Sequence, residues 1–227
     1  MKNPSTSLFS PTSFIGAALL VLVSLNAAEP KSILPDLTAI PQEQGWKLVN
    51  RSAVAIEKDG GKGVHLEGKA STGYARLENL SFANGVIEFD ARGKNLVQQS
   101  FLGLAFHGAG EKTYDAIYFR PFNFNSSDAA RRLRAVQYVS HPVFTWDKLR
   151  SEHPGQYEKP IVPPPDPDGW FHVRVVVAAP KVSVFVNDAT APCLVVDQLS
   201  DRKRGWVGLW VDVAGGDFAN LKIIPAP

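Results

Sequence analysis

The chain has 227 residues, with 24 Lys and Arg against 22 Asp and Glu, and a formal net charge of +2. That balance is too even to argue for nucleic acid as a partner. Hydrophobic residues make up 44%, enough to build a core, and the single cysteine, Cys193, excludes an internal disulfide.

At the N-terminus Lys2 precedes an apolar run from Phe14 to Val23, which ends in the small residues Ala27 and Ala28. This pattern predicts a secretory signal peptide over 1–28. The run is shorter than the roughly 20 apolar residues that span a bilayer, which disfavours the alternative, an uncleaved anchor. The expectation is a secreted or periplasmic protein with no membrane attachment after cleavage. Residues 29–45, with Pro30, Pro35 and Pro41, read as an N-terminal arm, and 46–227 as one domain.

Strands are predicted from Ala53 to Glu57 and from Val64 to Glu67, joined across a Gly- and Asp-rich turn. Tyr74 to Leu77 is a short strand. After the turn at Phe82-Ala83-Asn84-Gly85, Val86 to Arg92 sets Ile87, Phe89 and Ala91 inward. Phe101 to His107 and Tyr114 to Phe122 form a hairpin, and Leu133 to Val139 follows. Residues 140–169 break the rhythm, with one helical turn at Trp146 to Arg150 and a stretch, Pro163-Pro164-Pro165-Asp166-Pro167, that fits neither helix nor central strand. Long loops of this kind in compact domains are functional or disordered. The last third alternates most clearly: Phe171, Val173, Val175 and Val177 share a face, as do Val182, Val184 and Val186, and then Val207, Leu209 and Val211. Period-two patterning rich in Val and aromatics predicts half-buried antiparallel strands. About a dozen such strands make an all-β sandwich.

Phe82-Ala83-Asn84-Gly85-Val86-Ile87-Glu88-Phe89-Asp90 resembles the opening strand of concanavalin A-like (laminin G-like) jelly rolls. Trp170 to Val175 and Val182 to Asn187 resemble their back strands; Gly205 to Trp210 and Phe218 to Ile223 are similar to their closing strands. The resemblance covers most of the chain from Trp46 to Ile224. It implies an antiparallel jelly-roll β-sandwich with a concave face often used for glycans, in a superfamily of lectin-like modules, glycoside hydrolases and polysaccharide lyases, some of which hold calcium. Tyr114 to Tyr157 resembles secreted proteins related to the 3-keto-disaccharide hydrolase domain, but lacks the Asn-Ser-Gly signature of that group.

Four side chains are candidates for catalysis: His141, Tyr118, Glu88 and Asp90. Glu88 and Asp90 stand on one face of a strand, about 7 Å apart at two residues of rise. Retaining glycosidases place their carboxyls roughly 5 Å apart. The resemblance implies a Glu-x-Asp-x-x-Glu strand, and here the last position is Gly93; ordinary solvent-facing carboxylates are the plainer reading. A second cluster holds Tyr118, Arg120, Asn123, Arg134, Gln137, His141, Trp146 and Arg150. Sugars present apolar ring faces and a rim of hydroxyls, so exposed aromatics beside forked polar groups suit them. A packed strand with snorkelling Arg and a loop-anchoring Trp would use the same residues. For a lyase, His141 or Tyr118 would exchange the proton while Arg120 or Arg134, with Gln137, held the acid group. On the strand, Arg134 is expected to share a face with Val136 and Tyr138, opposite Gln137. Arg131, Arg132 and Arg134 read as a solvated rim, or more sharply as contacts to an acidic polysaccharide.

No histidine spacing suits zinc. Asp212 and Asp217, around Gly215-Gly216, are oxygen donors for a possible calcium, although such turns are common without metal. The expectation is a secreted, carbohydrate-associated domain binding a poly- or oligosaccharide on its concave face. A glycan-cleaving hydrolase or lyase is the first alternative, and an interaction domain without a sugar site the second.

Overall fold

A computed structural model describes Met1 and residues 31–59 and 61–227. The predicted signal peptide therefore lies almost wholly outside the described residues. The described residues form an all-β sandwich of two antiparallel sheets with seven strands each. The strands are β1 (Trp46–Val49), β2 (Ala53–Lys58), β3 (Gly61–Leu66), β4 (Lys69–Leu77), β5 (Gly85–Arg92), β6 (Ser100–Gly110) and β7 (Thr113–Phe119). They continue with β8 (Val136–His141), β9 (Glu158–Lys159), β10 (Phe171–Ala178), β11 (Lys181–Val186), β12 (Leu194–Asp197), β13 (Trp206–Val213) and β14 (Gly216–Pro225). The first sheet runs β1-β4-β13-β6-β7-β8-β9 and the second β12-β11-β10-β5-β14-β3-β2.

The alternation is what closes the sandwich. On β5, Ile87, Phe89 and Ala91 are fully buried, and on β10 Val173 and Val175 are too. Leu102, Leu104 and Phe106 of β6, and Ile117 and Phe119 of β7, face them from the first sheet; Phe119 meets Phe171 edge-on at 5.2 Å. The arm docks on this core: Leu37 and Ile40, in a 3-10 turn over Leu37–Gln42, are buried, and Ile33 pairs with Ile223 at the end of β14.

Several boundaries differ from the sequence reading, three of them near the site. β7 stops at Phe119, because Pro121 has no N–H for a ladder and instead starts the short helical turn α1 (Pro121–Phe124). β8 starts at Val136 rather than Leu133, because Asp128 caps α2 (Ala129–Arg132), its carboxylate accepting from the Ala130 and Arg131 N–H groups. The turn after β8 folds back tightly, as Ser140 and Phe144 exchange both backbone hydrogen bonds. It leads into α3 (Trp146–Glu152), longer than the one turn expected and anchored by buried Leu149. The edge strands β1, β9 and β12 were not anticipated.

Candidate functional site

Side chains that do not enter the core of the first sheet point to its outer face. The register sets them side by side: Tyr118 of β7 lies opposite Gly103 of β6 and Gln137 of β8, and Trp210 of β13 lies between Gly103 and Tyr74 of β4. Gly103 is required there, because a Cβ would come 2.1 Å from the Ile117 carbonyl oxygen. The outcome is an aromatic floor. Tyr118 and Trp210 lie 5.1 Å apart, the Trp210 Nε1–H donates to the Tyr114 hydroxyl at 3.2 Å, and Tyr114 lies 5.0 Å from the His141 ring. Beyond it Trp206 stacks on Tyr74 at 4.8 Å.

The folded-back segment 140–157 stands as a wall along this floor. Between them is a cavity of about 540 Å³, within the range of small-ligand sites. Phe101, Tyr118 and Trp210 form its floor; Arg120, Asn123, Arg131 and Arg134 line one end; His141, Trp146 and Arg150 line the wall; and Thr72 and Asp212 lie at the far side. Of the eight residues predicted to bind a ligand, seven border this space. The eighth, Gln137, is fully buried and joins the network behind it. Arg134 was expected on the opposite face from Gln137. It precedes β8 and follows α2 instead, which frees it from strand alternation and lets it turn to the cavity.

The polar wiring is dense. The Tyr118 hydroxyl donates to Gln137 Oε1 at 3.0 Å; Arg120 Nη2 donates to the Tyr118 hydroxyl oxygen at 2.8 Å and also to Gln137 Oε1. Arg120 Nη1 and Asn123 Nδ2 each donate to the Arg134 carbonyl at 3.0 Å. Glu158, which β9 brings opposite Gln137, accepts a two-pronged bond from Arg150, 3.0 Å from Nε and 2.7 Å from Nη2. Arg120 Nη1 and Arg134 Nε stand 3.6 and 3.5 Å from the same carboxylate without a hydrogen bond. The Arg150 guanidinium also lies over the Trp146 ring, 4.9 Å from its centroid.

Burial sets the protonation states. It pushes the Tyr118 hydroxyl up, so that it stays a neutral donor, and raises the Asp212 carboxyl. Burial and then the charge of Arg202 pull His141 down, so it is neutral at pH 7. A second hollow of about 480 Å³, lined by Ser140, Phe144, Leu199 and Arg202, shares His141 with the first.

Glu88 and Asp90 are not part of this cavity. They alternate with the inward Ile87 and Phe89 on β5 and so face outward from the second sheet, on the opposite side of the sandwich. Sequence alternation fixed their face but not which sheet carried them. The Asp90 carboxylate is already engaged: burial raises it, but His172, Lys58 and Asn220 outweigh that and hold it at about 2. Glu88 has Lys222 3.7 Å away.

The possible calcium site finds no support in the residues. Asp212 is on β13 of the first sheet and Asp217 on β14 of the second. Asp217 is taken by Arg92, at 2.8 and 2.7 Å, and by His65 at 2.5 Å. Among the described residues no group of three or more His, Cys, Asp or Glu is placed to hold a metal. Cys193 is partly buried, and burial pushes its thiol up to about 12, which leaves it unreactive.

Reasoning from sequence missed Phe101, Trp210 and Asp212 as cavity residues, and missed Glu158 as the partner of the arginines. Trp210 and Asp212 had a usable signal, since they occupy the outward positions between Leu209 and Val211 and after it.

No family model matches the chain, and no curated protein matches it in sequence. Solved structures do. A protein of unknown function with a galectin-like fold from Bacillus subtilis superposes with a TM-score of 0.54 at 12% identity, over 85% of this chain and 94% of its own. The carbohydrate binding module CBM66 from Bacillus subtilis gives 0.51 at 17% identity, over 79% and 95%. The VIP36 exoplasmic/lumenal domain, in a form bound to Ca²⁺ and Man3GlcNAc, gives 0.51 at 11% identity, over 86% and 90%. Identities this low establish architecture alone: the chain has a galectin-like jelly-roll β-sandwich fold.

Proposed function

We propose that this domain binds an oligosaccharide in the cavity on the outer face of the first sheet. The observation that carries the reading is the pairing, in one hollow, of an aromatic floor with a fixed polar network. Half-exposed Trp146 and partly exposed Phe101 offer apolar surface for sugar rings, backed by the buried Tyr118 and Trp210, and Arg120, Asn123 and Arg134 offer forked donors and an acceptor for hydroxyls. The fold adds to this, since CBM66 is named for carbohydrate binding and the VIP36 domain was solved with Man3GlcNAc. The predicted signal peptide supports export, and a secreted or periplasmic domain would meet its glycan outside the cytoplasm.

Titration calorimetry of the domain against a panel of neutral and acidic oligosaccharides tests this. Saturable binding to at least one glycan, weakened about tenfold in Trp146→Ala, is expected. Unchanged binding in Trp146→Ala and Asn123→Ala together would move the site elsewhere.

Glycan cleavage is the second reading, favoured by neutral His141 and the raised Asp212 carboxyl bordering the same space. It is the weaker one because Glu158, the buried carboxylate nearby, is committed to Arg150. Reducing-end release, or absorbance from a new unsaturated bond, would establish it.

A further inference from the structure

The guanidinium end of the cavity has more positive charge than its one buried acid can balance. Glu158 is 5% exposed, and both its oxygens are bonded by Arg150. Arg120, also 5% exposed, and Arg134 stand nearby at ion-pair distance only. Arg131 extends the series at the mouth, and Asp128, its partner at 3.5 Å, is half-exposed and already caps α2. A buried guanidinium cannot shed its proton, and an uncompensated charge in a low-dielectric site is expensive. Such an end favours an incoming anion. Arg and carboxylate or sulfate oxygens pair in a planar two-pronged geometry that neutral hydroxyls do not match.

Two further observations shape the ligand. The carboxylate of Asp212 lies on β13, two strand positions from β7, whose end leads into Arg120, and thus roughly 10 Å across the sheet at about 4.8 Å per strand. The cavity is therefore polarised, basic at one end and acidic at the other. Asn123 Oδ1 is buried with no donor, and its orientation is set because Nδ2 donates to the Arg134 carbonyl. It is an acceptor waiting for a hydroxyl beside the anion-favouring end.

We infer that the ligand is an acidic glycan, bound with a carboxylate or sulfate of one sugar unit against Arg120 and Arg134, a hydroxyl of that unit on Asn123, and the next ring on the aromatic floor. This rests on the glycan reading of the cavity.

The test is calorimetry with matched pairs: oligogalacturonate against its methyl ester, and sulfated against desulfated galactan oligosaccharide. One acidic member of a pair should bind at least tenfold tighter than its neutral counterpart, with affinity falling as salt rises. Which pair discriminates identifies the anion. Arg134→Gln, at the partly exposed mouth, should weaken that binding about tenfold, whereas Lys181→Gln, on β11 of the other sheet, should leave it unchanged. Neutral glycans binding as well as the acidic ones, independent of salt, would overturn the inference and leave the glycan reading standing. Acidic binding that survives Arg134→Gln and Arg131→Gln together would also overturn it, because the anion would then sit elsewhere. No binding to any glycan would overturn both.

Discussion

Replacing Glu158 by Gln removes one negative charge with almost no change in shape, so it isolates the electrostatics of the cavity end. The wild-type carboxylate is buried and holds Arg150 in a two-pronged pair, with Arg120 3.6 Å and Arg134 3.5 Å away. Removing the acidic partner of a buried pair costs roughly 3–5 kcal/mol, because the remaining charge stays buried. Arg150 and Arg134 are 27% and 40% exposed and can turn to water, so the lower end, about 3 kcal/mol, is the expectation here. For a domain of this size each kcal/mol lowers the melting temperature by about 2–4 °C, which gives a drop of about 6–12 °C by differential scanning calorimetry. Glu152→Gln, which breaks an exposed pair with Lys148 on α3, should shift it by less than 2 °C. The same Glu158→Gln protein should bind an acidic oligosaccharide more tightly than wild type, since three guanidiniums then face the ligand without an acid. A melting shift no larger than that of Glu152→Gln would refute the claim that one carboxylate holds this end of the cavity together.

Trp146 is half-exposed at the cavity wall, so Trp146→Ala should change the melting temperature by no more than about 2 °C while costing about tenfold in glycan affinity; buried Trp210→Ala should instead cost about 3–5 kcal/mol in denaturant unfolding. Gly103→Ala, with its Cβ 2.1 Å from the Ile117 carbonyl oxygen and 2.7 Å from Tyr118 Cα, should destabilise by about 3 kcal/mol and disturb the floor, readable as a lost near-ultraviolet dichroism signal. On the opposite face the hydrogen bond that His172 Nδ1 donates to the Asp90 carboxylate raises His172. A raised histidine stabilises fully below its unfolded value of about 6.5 and loses that contribution as pH rises through its folded value. The stability difference between wild type and His172→Gln should therefore shrink on going from pH 6 to pH 8.5 in urea titrations; a constant difference would contradict the pairing.

How much was legible in the sequence follows from what alternation can and cannot encode. Period two marked the inward rows of β5, β10, β11 and β13, and set Tyr118 and Arg120 on one face, because those strands pair along most of their length. It failed where local chemistry overrode it: Asp128 capping α2 delayed β8, and Pro121 ended β7, so Arg134 reached the cavity from a loop. Glu158 was out of reach because its place depends on the two-residue edge pairing of β9 with β8, a contact with almost no local signal. Glu88 and Asp90 show the other limit. Their outward facing was readable, but sheet assignment depends on partners far away in sequence, β10 and β14.

The most direct test of the account is a crystal structure of the domain with whichever oligosaccharide calorimetry finds to bind. The account predicts sugar density in the cavity against Phe101 and Trp146, above Tyr118 and Trp210, with a hydroxyl on Asn123. Density on the second sheet instead, for example over Trp170 between Lys58 and Arg92, with the first-sheet cavity empty, would contradict it.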